Sequence, residues 1–155
     1  MILDFIVPGP VRGKGSVRVA GGRAYKDART ENYMALVAMA ARQALGSRPA
    51  LIGPYSVVIE VVAARPKRLI PNPKSKKPQP PSGSLWAPAK PDADNVAKAI
   101  LDALVQSGAI TDDCAVVSLD VGKWYVAIGE PEGVRVKVEE LTYDVWPPRA
   151  ALEQR

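Results

Sequence analysis

The run Ile2–Val7 predicts a strand, stopped by Pro8-Gly9-Pro10. Val17-Arg18-Val19 and Arg23-Ala24-Tyr25 flank Gly21-Gly22, a hairpin signal. From about Ala28 to Leu45 the apolar residues Tyr33, Leu36, Val37, Ala40, Ala41, Ala44 and Leu45 recur at three and four positions. That spacing predicts a helix, and Gly46 can stop it. The segment Tyr55–Ala64 predicts a strand with Val57, Ile59 and Val61 on one face and Val58, Glu60 and Val62 on the other. A second helix is predicted over about Asn95–Gln106, with the stripe Val96, Ala99, Ile100, Ala103 and Leu104. Asp94 or Asn95 can cap it, and Gly108 lies where a left-handed residue ends a helix. Two strands follow. One runs over Ala115–Val126, with a bulge expected near Gly122. The other runs over Val134–Thr142, where Val134, Val136 and Val138 alternate with Arg135, Lys137 and Glu139.

The periodicity fails between Arg65 and Pro91. Eight prolines fall there, and proline removes amide donors and blocks helix and central strand. Arg65, Lys67, Arg68, Lys74, Lys76, Lys77 and Lys90 lie in the same stretch, and Val61–Pro91 has no acidic residue. The segment 65–90 therefore reads as a long, mobile, cationic arm suited to following phosphates. Trp86 within it has two open roles, stacking on a base or anchoring the arm to the body. Residues 147–155, after Trp146, read as a loosely held tail. The length of 155 residues and the lack of an internal repeat point to one domain over residues 1–146.

Composition removes much of the enzyme menu. The chain has no histidine and one cysteine, Cys114. That excludes histidine-based triads and dyads, and a zinc site built from several Cys or His ligands. No apolar run approaches the roughly 20 residues of a membrane span. The start Met1–Val7 carries no basic leader, and a lone thiol suits a reducing compartment, so a cytoplasmic location is expected. The net charge of +5 conceals an asymmetry. Residues 1–91 hold 15 basic and 4 acidic side chains, whereas residues 92–155 hold 6 and 12. A basic surface beside an acidic cluster suits a polyanion partner and a divalent cation.

The chemistry concentrates in Lys90-Pro91-Asp92-Ala93-Asp94-Asn95, with Lys98, Asp102 and Asp112-Asp113 following. If Asp92–Asp94 is extended, both carboxylates point to one side. Asp94, Lys98 and Asp102 follow one another at four-residue steps and can share a helix face. The return of the chain after the helix could bring Asp113 beside Asp92 and Asp94. Carboxylates ~4 Å apart repel by about 4 kcal/mol per pair at an effective dielectric of 20, so protonation, lysines or a hard cation must offset them. Magnesium prefers oxygen ligands and can supply the activated water that a missing histidine base would otherwise generate. Taken singly, Asp-x-Asp-Asn before a helix is also an ordinary cap, and Asp-Asp an ordinary turn.

Together these residues closely resemble the RusA-type Holliday junction resolvases, small endodeoxyribonucleases of bacteria, prophages and phages. The resemblance is carried by Lys90-Pro91-Asp92-Ala93-Asp94-Asn95, Lys98, Leu101-Asp102-Ala103-Leu104, Gly108–Asp113 and Val116-Val117. It extends to the first strand ending in proline, the segment Gly13–Arg18, Tyr25-Lys26-Asp27 and the Ala-rich helix. It reaches to about Thr142 and is diagnostic from Lys90 to Val117. The resemblance implies an α+β fold with two main helices packed on a mixed sheet, in an intertwined homodimer. It implies Asp92, Asp94 and Asp113 as essential metal-binding carboxylates, Lys98 as the important lysine, and magnesium or manganese as the cofactor. It also implies paired symmetric nicking of four-way DNA junctions, with no membrane or small-molecule cofactor.

Asn95, Asp102 and Asp112 fit the pattern as supporting residues, and Cys114 is expected to be small and buried. The long arm is where this chain departs from the family. Arg12, Lys14, Arg18, Arg65, Lys67, Arg68, Lys74, Lys76, Lys77 and Lys90 are its candidate DNA contacts on charge alone. A non-catalytic DNA-binding protein and a nuclease preferring flaps or forks are the alternatives.

Overall fold

The structure, a computed structural model, describes residues 1–14, 18–20, 23–25 and 27–142, with the backbone alone for the two short segments. Its elements are β1 (Ile2–Pro8), β2 (Arg18–Ala20), β3 (Arg23–Tyr25), α1 (Ala28–Leu45), β4 (Tyr55–Ala63), β5 (Leu85–Trp86), α2 (Ala93–Ser107), β6 (Val116–Tyr125) and β7 (Gly133–Glu140). The main sheet has the order β1-β7-β4-β6-β5. All its pairings are antiparallel except β4 with β6, so the sheet is mixed and the fold is α+β. The strands β2 and β3 pair antiparallel, with Val19 opposite Ala24, and the Gly21-Gly22 turn expected between them lies outside the described residues. The tail 147–155 and the end of the expected domain lie outside the described residues.

Strict alternation builds the core. Leu3, Phe5 and Val7 of β1, Val57, Ile59 and Val61 of β4, and Val134, Val136 and Val138 of β7 are all buried. Their register brings them together in rows, such as Phe5 opposite Val136 and Val136 opposite Ile59. One helical layer covers this face. In α1, Thr30, Tyr33, Val37, Ala41 and Leu45 are buried at helical spacing, while Leu36 lies outward, 48% exposed. In α2 the whole predicted stripe is buried, together with Ala97 and Ser107. The two helices pack on each other, and α1 also packs on β1. Among the described residues no helix covers the other face of the sheet. There Arg135 donates to both oxygens of Asp4, at 3.0 and 2.7 Å, and lies 3.7 Å from Glu60. Among the described residues no helix is long and apolar enough to cross a membrane.

Three expectations change. The strand irregularity falls at Val117, where the β4–β6 register shifts, and not at Gly122. Gly122 instead lies under an indole, where a Cβ would come within 2.0 Å of Trp124 Cη2. The helix α2 begins two residues before the expected Asn95, because Ala93 and Asp94 already take helical backbone.

The third change concerns the arm, which is not a free loop along its length. Arg65, expected among the DNA contacts, is buried at 8% exposure. Its guanidinium donates to the carbonyls of Val126, Leu69, Pro81, Ser82 and Gly83. Proline-rich chain cannot satisfy its carbonyls in a ladder, and the five-donor fork of arginine does so from one side chain. This closes the arm at its base. A 3₁₀ turn at Lys67–Leu69 and the short β5 follow from that closure. Trp86 then stacks on Trp124 with centroids 5.3 Å apart and planes at 25°, so anchoring, one of its two open roles, is met.

Replacing Arg65 with Ala leaves those carbonyls unsatisfied. The expected loss is about 2–4 kcal/mol in urea unfolding, with faster proteolysis within residues 66–83. Unchanged stability and proteolysis would show that the guanidinium does not hold the arm.

Candidate active site

The start of α2 is fixed from outside by the chain near Gly13. The Lys14 amide donates to the Asn95 carbonyl at 2.8 Å. A Cβ on Gly13 would come within 3.0 Å of both Asn95 Cβ and Pro91 Cβ, so glycine lets the backbone approach this corner. Asp92 holds the N-cap position, yet its carboxylate makes no capping hydrogen bond. The residue expected to be half of an extended pair is therefore the cap in position but not in chemistry. Its carboxylate is exposed beside the positive end of the helix.

Asp94 lies in the first turn of α2, so Asp92–Asp94 is not the extended run expected. Lys98 shares its helix face and lies 3.3 Å from Asp94 Oδ2. The hydrogen bond from Lys98, with backbone donors adding to it, holds the Asp94 carboxyl below the usual carboxylate range. Asp102, the third member of the expected face, pairs with the Lys14 ammonium instead. That contact ties the N-terminal segment to the middle of α2.

A cleft of about 370 Å³ opens at this corner. Arg12 and Lys90 line it, with Asp92, Asn95, Asp27 and Thr30. Asp27 is the N-cap of α1 and accepts from the Arg29 amide at 3.1 Å, so both helix starts border one cleft. Asp27 entered the sequence reading only through the family resemblance and Thr30 not at all, although an Asp directly before a helical period is a capping signal. Among the other cations, Lys67, Arg68, Lys74, Lys76, Lys77 and Lys90 are exposed. The side chain of Arg18 lies outside the described residues. Lys123, also unforeseen, donates to the Ala89 carbonyl and ties the residues before Asp92 to β6.

Asp112 and Asp113 lie elsewhere. The helix α2 ends at Gly108, whose φ of 73° is the left-handed geometry expected there. Asp112 then caps a 3₁₀ turn at Asp113–Ala115, accepting from the Cys114 amide at 2.9 Å, and this bond lowers its carboxyl pKa. Cys114 is exposed, not buried as expected, and its hydrogen bond with Asp112 pushes its thiol pKa up. Asp113 is exposed in this turn, which leads into β6.

The length of α2 separates the two groups. Its 15 residues span about 22 Å, with Asp92 at one end and Asp113 beyond the other. Three exposed carboxylates are a suitable donor set for a hard divalent ion. Among the described residues, however, no three acidic or thiol groups are close enough to hold one.

Aspartates and a lysine at the head of one helix thus stand next to an acid-free basic arm. The chain belongs to the RusA endodeoxyribonuclease family: it matches Endodeoxyribonuclease RusA over residues 8–139. It is also similar to Uncharacterized protein YqaN of Bacillus subtilis (strain 168). The two are 34% identical over 133 residues, covering 84% of this chain and 88% of that one. The resemblance read from Lys90–Val117 thus holds over most of the molecule.

Because the Asp94 pKa is lowered in the folded state, its pairing with Lys98 contributes above the ordinary carboxylate pKa. The contribution is lost as pH falls through the lowered value. Carboxyl-carbon NMR titration should show Asp94 titrating below the ordinary Asp value of about 3.9, and Lys98→Met should move it back up. An Asp94 titration that is the same in both proteins would rule out the pair in solution.

Proposed function

We propose that this chain is a structure-selective endodeoxyribonuclease that resolves four-way DNA junctions by paired phosphodiester hydrolysis, acting as a homodimer in the cytoplasm of a bacterial or phage-infected cell. The observation that carries the reading is membership of the RusA family over residues 8–139 combined with the head of α2. There the Asp92 carboxylate, free of any capping hydrogen bond, lines a cleft with Arg12 and Lys90, and the Asp94–Lys98 pair follows it on α2.

Asp92, Asp94 and Asp113 are the proposed ligands of magnesium, for which manganese can substitute. Such an ion, when bound, supplies a water of lowered pKa and neutralises charge on phosphate. The chain's own residues do the rest. Lys98 holds Asp94 ionised and adds positive charge where the phosphate gains negative charge. Arg12 and Lys90 hold a phosphate in the cleft between the two helix starts. Lys67, Arg68, Lys74, Lys76 and Lys77 follow the backbone from the closed arm, and Arg65 keeps that arm in shape. Lys14 positions the N-terminal segment through Asp102. Asn95 and Asp112 support the local backbone.

The test is cleavage of a synthetic four-way junction, a flap and a linear duplex with Mg²⁺. The junction should be nicked in preference, and Asp94→Asn should slow nicking by roughly two orders of magnitude or more. Junction binding by Asp94→Asn should persist or tighten, since an acid that repels phosphate is gone. Binding should also weaken linearly with rising salt on logarithmic axes. A wild-type rate in Asp94→Asn, or equal cleavage of all three substrates, would overturn the reading.

A further inference from the structure

Trp86 is the most exposed large apolar side chain among the described residues, at 72%. The strand pairing sets where it points. Val57, Ile59 and Val61 of β4 are buried on the helical side, so Val62 faces the opposite, open side of the sheet. Trp124 aligns with Val62, and Trp86 lies directly opposite Trp124, so both indoles project from that open side. One face of Trp86 is used. It stacks on Trp124, whose own ring rests on Gly122. The stack thus rises from sheet backbone through two indoles and ends on the outer face of Trp86.

This outermost ring is held from both sides along the chain. Arg65 donates to the Gly83 carbonyl before it, and the Ala87 amide directly after it donates to the Lys123 carbonyl at 3.1 Å. Anchoring needs one ring face, and Trp124 meets it. The free face is a flat apolar surface already fixed in place, which loses little freedom when another ring stacks on it.

Its surroundings select what stacks there. Val61–Pro91 contains no acid, while Lys67, Arg68, Lys74, Lys76 and Lys77 are exposed. On the open side Glu60 aligns with Gly122, and Arg135 lies 3.7 Å from it; Asp120 stands two positions before Gly122 on β6. A neutral sugar or an apolar peptide gains nothing from the lysines. A polyanion with a flat ring in every unit uses both features, its phosphates on the cations and a base on the indole. Within a duplex each base already has neighbours stacked on both faces. The matching ligand is therefore a base without a stacked neighbour, as in a single strand or at a branch point.

We infer that the free face of Trp86 is a stacking subsite for an unpaired nucleobase, which sets the position of branched DNA relative to the head of α2. Asp92 follows Trp86 by six residues, a reach of at most about 20 Å. That reach corresponds to roughly six base steps along one strand. The stacked base and a phosphate in the cleft beside Asp92 then belong to one short stretch of DNA. That the branch is a four-way junction rests on the resolvase reading.

The experiment is fluorescence anisotropy in EDTA, so that binding is read without cleavage. The probes are a labelled four-way junction, the same junction with abasic sites at its branch point, an oligothymidylate, its abasic counterpart and a hairpin-closed duplex. Trp86→Leu should weaken junction and oligothymidylate binding about tenfold and change duplex binding by less than about twofold. Trp86→Tyr, which keeps a ring, should bind nearly as wild type does. Abasic sites should weaken wild-type binding by a similar factor and weaken Trp86→Leu no further.

Losses from Trp86→Leu and from the abasic sites that simply multiply would overturn the inference. So would a Trp86→Leu loss that is equal on duplex and junction, since that is the result of an arm unseated with its lysines. Wild type that binds oligothymidylate no better than its abasic counterpart would overturn it too. Wild type that shows the coupling on oligothymidylate, but neither prefers the junction nor nicks it with Mg²⁺, refutes the resolvase reading and leaves the stacking subsite standing. Wild type that nicks the junction without the coupling refutes the subsite alone.

Discussion

The parallel pairing of β4 with β6 governs the rest of this molecule. Antiparallel neighbours can be joined by a tight turn, but parallel neighbours cannot, so the chain must travel the length of the sheet between Ala63 and Val116. Most of the candidate chemistry lies on that journey: the basic arm, the aspartates at the head of α2, and Asp112-Asp113 at its foot. The apolar stripe of α2 lies against the core side of the sheet and leaves Asp94, Lys98 and Asp102 on the outer side. Burial of Val96, Ile100, Ala103 and Leu104 thus sets the direction in which the charged residues point.

A second constraint acts on the proline-rich segment. A chain with eight prolines between Arg65 and Pro91 makes carbonyls that few of its own amides can satisfy. Arg65 answers this with one buried guanidinium, which gathers both ends of the arm against the end of β6. The consequence is a division of labour among like-charged residues. One arginine is structural because it is inside, and the lysines beyond it are free to meet solvent or phosphate because that arginine holds the base closed.

Secondary structure was legible wherever one period ran unbroken. Helix α1 has the bounds that its spacing implies, and the strands differ from their expected ends by a residue or two. The head of α2 was less legible, since Asp92, Asp94 and Asn95 all suit a cap and nothing local ranks them. The arm was misread in part because charge alone does not separate Arg65 from Lys67: only the carbonyls of Val126 and Pro81, distant in sequence, make the first one buried. Cys114 was expected to be buried as a small apolar residue, but the Asp112 cap turns it outward. The candidacy of the site aspartates was readable from their spacing and the family resemblance. Their separation was not, because distance along a helix becomes distance in space only once the β4–β6 pairing is known.

The stack of Trp86 on Trp124 has an optical consequence. Two indoles 5.3 Å apart and 25° from parallel, with that of Trp124 seated on the bare backbone of Gly122, form an electronically coupled chromophore pair. Their coupling exists only while the two-residue strand β5 is docked on β6. The molecule therefore carries, at the root of its basic arm, a built-in signal of whether that root is seated, visible in its aromatic circular dichroism without any label.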